Sequence, residues 1–371
     1  MFRRDASRSC LACVLAVSAT TASLAPAQGA IPTPDAVRAA LVPRVNDGTV
    51  AGIITAWGDA DSLRFASAGV ARRGGMPIDP ATIFELGDVG NMLSAALLAN
   101  LVTRGEVSLD DPIERFLPLV APLATQAGRS ITLGDLAFHR SGLPDRERAG
   151  APGTAASLEL RAVGRVRLLT PPGTRYHFSQ LGLALLDRAM ERILGMPVSD
   201  AVHSRILHPL RLDGVTTGVG RAVLGRRATG HTAAGTPIPV SALLPHRWRG
   251  AISDVARFAA MAGDTVNGPL ASTFAFMMRT RSPGPDPSLP VALGWRVLRL
   301  DGRDIYWHDA QDAPGFSAYM AIDPGRARSA TVLSNTARPV DAIAGQLLLG
   351  RVPVIAPRSA RAPSQPVRRL P

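Results

Sequence analysis

Segments with the pattern of β-strands occur near both ends of this chain, and helical patterns dominate the part between them. Residues 50–57 (VAGIITAW) and 63–70 (LRFASAGV) are rich in small and β-branched apolar residues, and a turn-forming stretch at 59–61 separates them. The last third of the chain again predicts strands, at residues 291–299, 303–308, 316–322 and 329–334. The simplest arrangement brings both groups of strands into one antiparallel sheet, so the sequence predicts an α+β fold.

The helical patterns are marked by residues that start and stop helices. Thr33 and Pro34 form an N-cap and first-turn pair, and residues 181–194 have an apolar face that ends at Gly195. Helices are predicted at residues 34–41, 89–104, 133–138, 181–194, 199–207 and 339–350. The middle helices are expected to form a second, mostly helical lobe, with a site in the cleft between the lobes.

The first residues have the three parts of a secretory signal peptide. Three arginines precede an apolar run at residues 11–24, and small residues follow it up to Ala27. We therefore predict a signal peptide at residues 1–27, and a mature protein in the periplasm or outside the cell. A membrane anchor is the alternative, but the apolar run is too short to span a bilayer comfortably. A lipid-modified Cys13 is also disfavoured, because this cysteine does not follow the apolar run.

The mature chain is predicted to be one domain at residues 28–350, followed by a disordered tail at 351–371 that is rich in proline and arginine. Both cysteines, Cys10 and Cys13, lie in the predicted signal peptide, so no disulfide or thiol site is expected. The formal net charge is +12, but five of the arginines lie in the tail. A solvated basic surface is favoured over a nucleic-acid site, because no basic helix with interleaved aromatic residues occurs.

All 41 basic residues are arginines, so the chain contains no lysine. This excludes Schiff-base, phosphate-loop and general-base chemistry that depends on a lysine side chain. No cofactor is predicted. No metal site is predicted either, because the seven histidines are scattered and the nearest pair, His203 and His208, is expected to splay apart on a helix. The chain also has no G-x-S-x-G motif, which disfavours an α/β-hydrolase.

Four segments carry a more specific signal. They are residues 84–95 (FELGDVGNMLSA), 131–144 (ITLGDLAFHRSGLP), 172–186 (PGTRYHFSQLGLALL) and 293–324. In this order, over about residues 34–349, the chain resembles the β-lactamase and penicillin-binding-protein serine hydrolases. The resemblance is to the branch with class C β-lactamases, D-alanyl-D-alanine carboxypeptidases and esterases. It implies a sheet of N- and C-terminal strands flanked by helices, with a mostly helical second lobe.

The resemblance also implies three catalytic motifs, and this chain departs from each of them. The first is S-x-x-K at the start of a helix, where the serine attacks and the lysine accepts its proton. The second supplies a hydroxyl that relays protons and an amide that orients the substrate. The third is Lys or His, then any residue, then Gly. The matching positions here are Asp88 and Asn91 in the first motif, Phe178 and Gln180 in the second, and His308 and Ala310 in the third.

The side chains at these positions suggest ligand binding more than catalysis. Asp88 is interpreted as a helix N-cap, with a new acid, base or nucleophile as the alternative. Asn91 is expected to line the cleft and bond to Asp88, and Gln180 keeps the amide of its motif. His308 remains open between a general base, a group that holds a ligand carboxylate, and a strand histidine bonded within the cleft. We therefore predict Asp88, Asn91, Gln180 and His308 as ligand-binding residues, with no confident catalytic residue.

Four residues near these motif positions also carry polar side chains. Tyr176 and His177 flank Phe178 and offer a displaced proton relay, but neighbours on an extended segment are expected to point elsewhere. His139 and Ser141 are interpreted as structural.

Three functions remain. The first is a degenerate hydrolase that binds a small-molecule or peptidoglycan-like ligand, or acts as a scaffold, in the cell envelope. The second is an active hydrolase of esters, amides or β-lactams that uses Asp88 with His308. The third is a structural protein with an empty cleft. The loss of the nucleophile, the lysine and the relay hydroxyl together favours the first.

Overall fold

The computed structural model describes residues 31–354, except 73, 121–122, 124–127, 146–162, 240–246, 287–288 and 311–312. The predicted signal peptide and most of the predicted tail lie outside the described residues, so both stay predictions. Within the described part, no helix has the length and apolar character needed to cross a membrane.

The described residues contain eleven strands, nine of which form one sheet. The strands are β1 (Gly52–Gly58), β2 (Arg64–Arg72), β3 (Met76–Pro77), β4 (Ile83–Glu85), β5 (Arg249–Ala251), β6 (Arg281–Asp286), β7 (Leu289–Ala292), β8 (Trp295–Leu300), β9 (Arg303–Ala310), β10 (Ser317–Asp323) and β11 (Arg328–Ser334). The large sheet has the order β3-β2-β1-β11-β10-β9-β8-β7-β6, and β4 and β5 form a separate two-stranded sheet.

The first and last long strands lie side by side at the centre of the sheet. β1 and β11 are antiparallel, with Ile53 opposite Ser334 and Trp57 opposite Ala330. Every other pairing in the sheet is antiparallel as well. The predicted union of N- and C-terminal strands in one antiparallel sheet is therefore confirmed.

Nine α-helices are described. They are α1 (Pro34–Asn46), α2 (Asn91–Thr103), α3 (Leu133–Ala137), α4 (Gln180–Leu194), α5 (Val198–Val202), α6 (Arg221–Arg226), α7 (Ile252–Gly263), α8 (Ala271–Arg279) and α9 (Asp341–Leu348). Thr33 caps α1 as predicted, accepting a hydrogen bond from the Ala36 N–H, but α1 continues past the predicted end to Asn46. The helices α6, α7 and α8 were not predicted from the sequence.

Helices cover both faces of the sheet. Successive side chains of a strand point to opposite faces, so neighbouring residues of β1 pack against different helices. Ile53 packs with Leu41 of α1 and Ile343 of α9, whereas Ile54 belongs to the larger core that contains α2 and α7. Both isoleucines are fully buried. This double coverage explains why every residue of β1 is buried.

Helix α2 lies in the middle of the protein. All residues from 92 to 101 are buried, as expected for a helix that is apolar on every side. A short 3₁₀ turn, Gly87–Gly90, leads into it. This turn and the first turn of α2 form the floor of the cleft.

The predicted strand at 291–299 is two strands, β7 and β8, joined by a tight hairpin. Gly294 lies in the hairpin with φ of 78°, a conformation that favours glycine. A Cβ atom on Gly294 would lie only 2.7 Å from the Cβ of Ala95 in α2. The glycine therefore permits the hairpin to pack directly on α2, where it forms one wall of the cleft.

The predicted helix at 199–207 is α5 followed by a π-helical turn, His203–Leu207. The His208 N–H donates to the His203 carbonyl over 2.8 Å, which is the i to i+5 bond of a π turn. The expectation that His203 and His208 splay apart is wrong, because this wider turn stacks residues five apart on one face. Their ring centroids are 6.2 Å apart.

Candidate functional site

A cleft lies where the 3₁₀ turn, the β7–β8 hairpin, β9 and the start of α4 meet. Its cavity has a volume of about 60 Å³, room for a few water-sized groups. Its lining residues are Asp88, Asn91, Ala95, Ala137, Phe138, His139, Tyr176, Phe178, Leu183, Leu186, Val291, Ala292, Gly294, Trp295, Arg296, His308 and Asp309. None of these lining residues is a serine, threonine, cysteine or lysine.

Asp88 is the second residue of the 3₁₀ turn, and its carboxylate receives two side-chain amides. Asn91 donates from Nδ2 to Asp88 Oδ1 over 3.1 Å, the bond expected from the sequence. Gln180 donates from Nε2 to the same oxygen over 2.5 Å. The structure thus brings together the first and second motif positions.

The interpretation of Asp88 as a helix N-cap is wrong. The N-cap residue of the 3₁₀ turn is Leu86 and that of α2 is Gly90, and neither helix start has a side-chain cap. The 3₁₀ turn takes the place of the predicted first helical turn, so Asp88 lies inside a turn. Its carboxylate is directed into the cleft.

Local hydrogen bonds fix the position of Gln180 at the start of α4. Ser179 is the N-cap of α4, and its Oγ accepts from the Gly182 N–H over 3.0 Å. The same hydroxyl donates to the Pro144 carbonyl over 2.8 Å, and the Gln180 N–H donates to Asp145 Oδ1 over 3.2 Å. The cap therefore anchors α4 to the preceding loop and aims the Gln180 amide at Asp88.

Phe178 occupies the cleft where the resemblance implies a proton-relaying hydroxyl. Its ring packs on His139 with a centroid distance of 4.6 Å. Nδ1 of His139 accepts a hydrogen bond from the Ser179 N–H over 3.3 Å. Burial, followed by the charges of His308, Arg296 and His177, lowers the pKa of His139 to about 3. His139, expected to be structural, therefore supports the second motif and also lines the cleft as a neutral ring.

The neighbours of Phe178 divide between the two faces of their segment. Tyr176 lines the cleft and meets His139 edge-on at 5.6 Å between centroids. The expectation that Tyr176 points elsewhere is wrong, because residues two apart on an extended segment share a face. His177 is not among the lining residues. Burial raises the pKa of Tyr176, so its hydroxyl stays protonated near neutral pH.

His308 lies in β9 on the opposite wall. Its Nδ1 is 3.0 Å from the Asp309 carbonyl oxygen, which only accepts, so we assign the ring proton to Nδ1. Burial and the Arg296 charge lower the pKa of His308 to about 4, so the ring is neutral near pH 7. Ala310 is buried, pairs with Ala318 of β10, and does not line the cleft.

Sequence reasoning missed an ion pair at the rim of the cleft. Nη1 of Arg296 lies 3.2 Å from Asp309 Oδ1, and the guanidinium lies over the Trp307 ring at 4.9 Å. Arg296 is paired with Trp307 across β8 and β9, so Asp309 is its diagonal neighbour. The one indication in the sequence is that Asp309 is the middle residue of the third motif.

The geometry supports binding of a polar ligand group better than acyl transfer. A carboxylate occupies the position implied for the nucleophile, and the two amides on it fix its orientation. The remaining polar groups are two neutral histidines, a protonated tyrosine and an ion pair. Apolar side chains form the rest of the wall. Such a site accepts N–H groups at Asp88 and repels negative charge there.

Comparison with known proteins agrees with the resemblance in the sequence. Residues 37–350 match the family model described as beta-lactamase. Penicillin-binding protein 4 of Amycolatopsis lactamdurans is 29% identical over 299 residues, which cover 75% of this chain and 78% of that protein.

Solved structures show the same fold. A beta-lactamase from Sulfitobacter sp. EE-36 has a TM-score of 0.71 and 21% identity, and the match covers 85% of this chain and 96% of that one. A class C beta lactamase from Rhodobacter sphaeroides has a TM-score of 0.68 and 21% identity, and covers 83% and 95%. The fold implied by the resemblance is therefore confirmed.

Proposed function

This chain belongs to the beta-lactamase family, and we propose that it is a member that binds a small ligand in its cleft without forming an acyl-enzyme. The observation that carries this proposal is the Asp88 carboxylate, held by Asn91 and Gln180 at the position where the family has its serine. A carboxylate fixed by two amides is oriented for binding. The chain also contains no lysine to take the place of the family's base.

Electrostatics support the absence of acyl transfer. An acyl transfer reaction develops negative charge on the carbonyl oxygen, and a fixed carboxylate beside it raises the energy of that state. Loss of a single oxyanion-hole donor already costs a factor of about 10² to 10³ in rate. Acyl transfer is slowed by the negative charge at Asp88. It is slowed further by the missing nucleophile and by the missing relay hydroxyl at Phe178.

The same charge defines the ligand class. Asp88 favours a ligand that presents an amine or an amide N–H, and it disfavours a carboxylate at the same place. The apolar wall accommodates short aliphatic groups. A peptide fragment of the cell envelope has both features, and this matches the export that the N-terminal sequence predicts. We therefore propose a peptidoglycan-like peptide as the ligand class and the periplasm or cell exterior as the location.

A pair of matched peptides tests this proposal. A pentapeptide that ends in D-alanyl-D-alanine and the same peptide with a C-terminal amide differ only in the terminal charge. We expect the amidated peptide to raise the melting temperature more, and Asp88→Asn to reduce the difference. We also expect chromatography to recover both peptides uncleaved. Cleavage of either peptide at a rate above that in buffer would contradict the proposal. A melting temperature that neither peptide changes would contradict it as well.

A second candidate is an active hydrolase with rearranged residues. It is favoured by His308, which lines the same cleft as Asp88. The His308 ring is neutral near pH 7 and can therefore accept a proton from a substrate or a water molecule. This candidate requires turnover of an ester, amide or β-lactam that both Asp88→Ala and His308→Ala abolish. Wild-type rates that equal buffer across a panel of such substrates would exclude it. A structural protein with an empty cleft is distinguished by a melting temperature that no ligand changes.

A further inference from the structure

We propose that His203, His208 and Asp213 form a binding site for a divalent transition-metal ion on the helical lobe. The three side chains are exposed, and their candidate ligand atoms all lie within 4.8 Å of one another. None of the three lines the cleft. The proposal is therefore independent of the proposed function.

The π turn is what brings the two histidines together. In an α-helix, residues five apart differ by about 140° around the axis, so their side chains would diverge. The bond from the His208 N–H to the His203 carbonyl widens the turn, and the two rings lie on the same face at 6.2 Å between centroids. Two imidazoles one turn apart on one face are a common way for a helix to present metal ligands.

The chain then turns back and supplies the third ligand. Arg211 has a left-handed conformation, with φ of 55°, and the Leu212 N–H donates to the Leu207 carbonyl over 3.0 Å. This reversal brings Asp213 Oδ1 to 3.9 Å from Nδ1 of His208. A non-glycine residue in this conformation carries a cost that a tight local turn must offset.

The ligand atoms need only a small movement to close on an ion. Zinc binds imidazole nitrogen and carboxylate oxygen at about 2.0–2.2 Å, so two ligands of one ion lie at most about 4 Å apart. The side chains of His208 and Asp213 are 74% and 68% exposed, so no packed neighbour opposes this rotation. Arg205, the cation inside the π turn, is paired with Glu106 at 2.7 Å, which reduces its repulsion of the ion.

The donor set selects the class of metal. Two imidazoles and one carboxylate suit zinc, nickel, copper and cobalt, whereas magnesium and calcium prefer all-oxygen sites. Three protein ligands leave at least one position for water. A bound ion would tie α5 to the loop that follows the π turn, so binding is expected to stabilise the folded protein.

The test is a zinc titration of the full chain without a histidine tag, after removal of metals with EDTA. Isothermal titration near neutral pH should show one site for zinc, and none for magnesium. His203→Ala and His208→Ala should each weaken zinc binding by more than about tenfold, and Asp213→Asn by about tenfold. Asp200→Asn removes an exposed carboxylate one turn earlier and should change nothing.

A second measurement separates loss of the site from loss of the fold. With EDTA present, all variants should melt at the wild-type temperature, because the three side chains are exposed. With excess zinc, the wild-type melting temperature should rise, and that of the His203→Ala/His208→Ala double variant should not. The proposal is overturned if zinc does not bind the wild type, or if the double variant binds zinc as tightly as the wild type does.

Discussion

The side-chain amide of Gln180 donates to the Asp88 carboxylate over 2.5 Å, and this bond links the helical lobe to the floor of the cleft. Gln180 begins α4, whereas Asp88 lies in the turn that precedes α2. A neutral amide and a charged carboxylate form a hydrogen bond that is stronger than one between two neutral groups. The bond therefore orients the carboxylate and joins two separate elements of the site.

A double-mutant cycle on this pair should reveal a large coupling. We expect Asp88→Ala and Gln180→Ala to interact by about 1.5–3 kcal/mol in the free energy of unfolding, as for hydrogen bonds to charged groups. Urea unfolding of the two single variants and the double variant measures this energy. Gln346→Ala, which removes a half-buried glutamine that does not line the cleft, should be additive with Asp88→Ala. Additive effects of Asp88→Ala and Gln180→Ala would show that the bond does not form in solution.

Glu85 should be essential for the segment that carries Asp88. Its Oε1 accepts from Nε of Arg227 over 3.1 Å and from Nε of Arg249 over 2.7 Å, and all three side chains are buried. Glu85→Gln removes the negative charge that these two buried guanidinium groups share. We therefore expect it to lower the free energy of unfolding by about 3–5 kcal/mol. The measurement is urea unfolding.

The matched control for Glu85 is Glu106. It also pairs with two arginines, Arg104 and Arg205, but this cluster is close to the surface. Surface pairs contribute less than about 1 kcal/mol, so Glu106→Gln should have a small effect. Equal losses in the two variants would contradict the assignment of Glu85 to the buried core.

Asp187 in α4 should make the protein less stable at alkaline pH. Burial, offset in part by a hydrogen bond from Ser94, raises the pKa of Asp187 from 3.8 to about 7. The folded state therefore keeps a proton that the unfolded state has lost, and the contribution of this group falls as the pH rises from about 4 to about 7. We expect Asp187→Asn to raise the melting temperature more at about pH 8 than at about pH 5. Asp200→Asn, which changes an exposed carboxyl, is the control and should shift the melting temperature equally at the two pH values. An equal shift for Asp187→Asn would show that the Asp187 carboxyl is ionised at both pH values.

The two cleft histidines should have the opposite effect at acidic pH. Burial lowers the pKa of His139 to about 3 and that of His308 to about 4, from 6.5. The unfolded state takes up protons first, so stability should fall as the pH drops from about 6.5 to about 4. His139→Asn removes one titrating ring, and asparagine tolerates the positive φ of this position. Its melting temperature should depend less on pH over this range, and a slope equal to that of the wild type would contradict the neutral state of His139.

Much of the fold followed from local patterns in the sequence. The strands at both ends were predicted to meet in one antiparallel sheet, and they do so, with β1 beside β11. The predicted helix at 181–194 matches α4 because Ser179 and Gly195 mark its ends. The π turn was missed because its i to i+5 bond depends on backbone geometry that no residue type marks.

The site was predictable only in part. Asp88, Asn91 and Gln180 were named from the motifs they replace, and the structure places them in direct contact. The Arg296–Asp309 pair depends on the register of β8 and β9. The turn between these strands is Asp301 and Gly302, both with positive φ, and this turn rather than the hairpin at Gly294 sets that register.

The central claim is that this cleft does not form an acyl-enzyme, and the mass of the intact protein after incubation with a labelled penicillin tests it most directly. The Asp88→Ser/Asn91→Lys/Phe178→Tyr variant restores the three lost groups and provides the comparison. We predict an unchanged mass for the wild type, and an adduct of one penicillin on the restored variant. A stable adduct on a cleft residue of the wild-type protein would contradict the account.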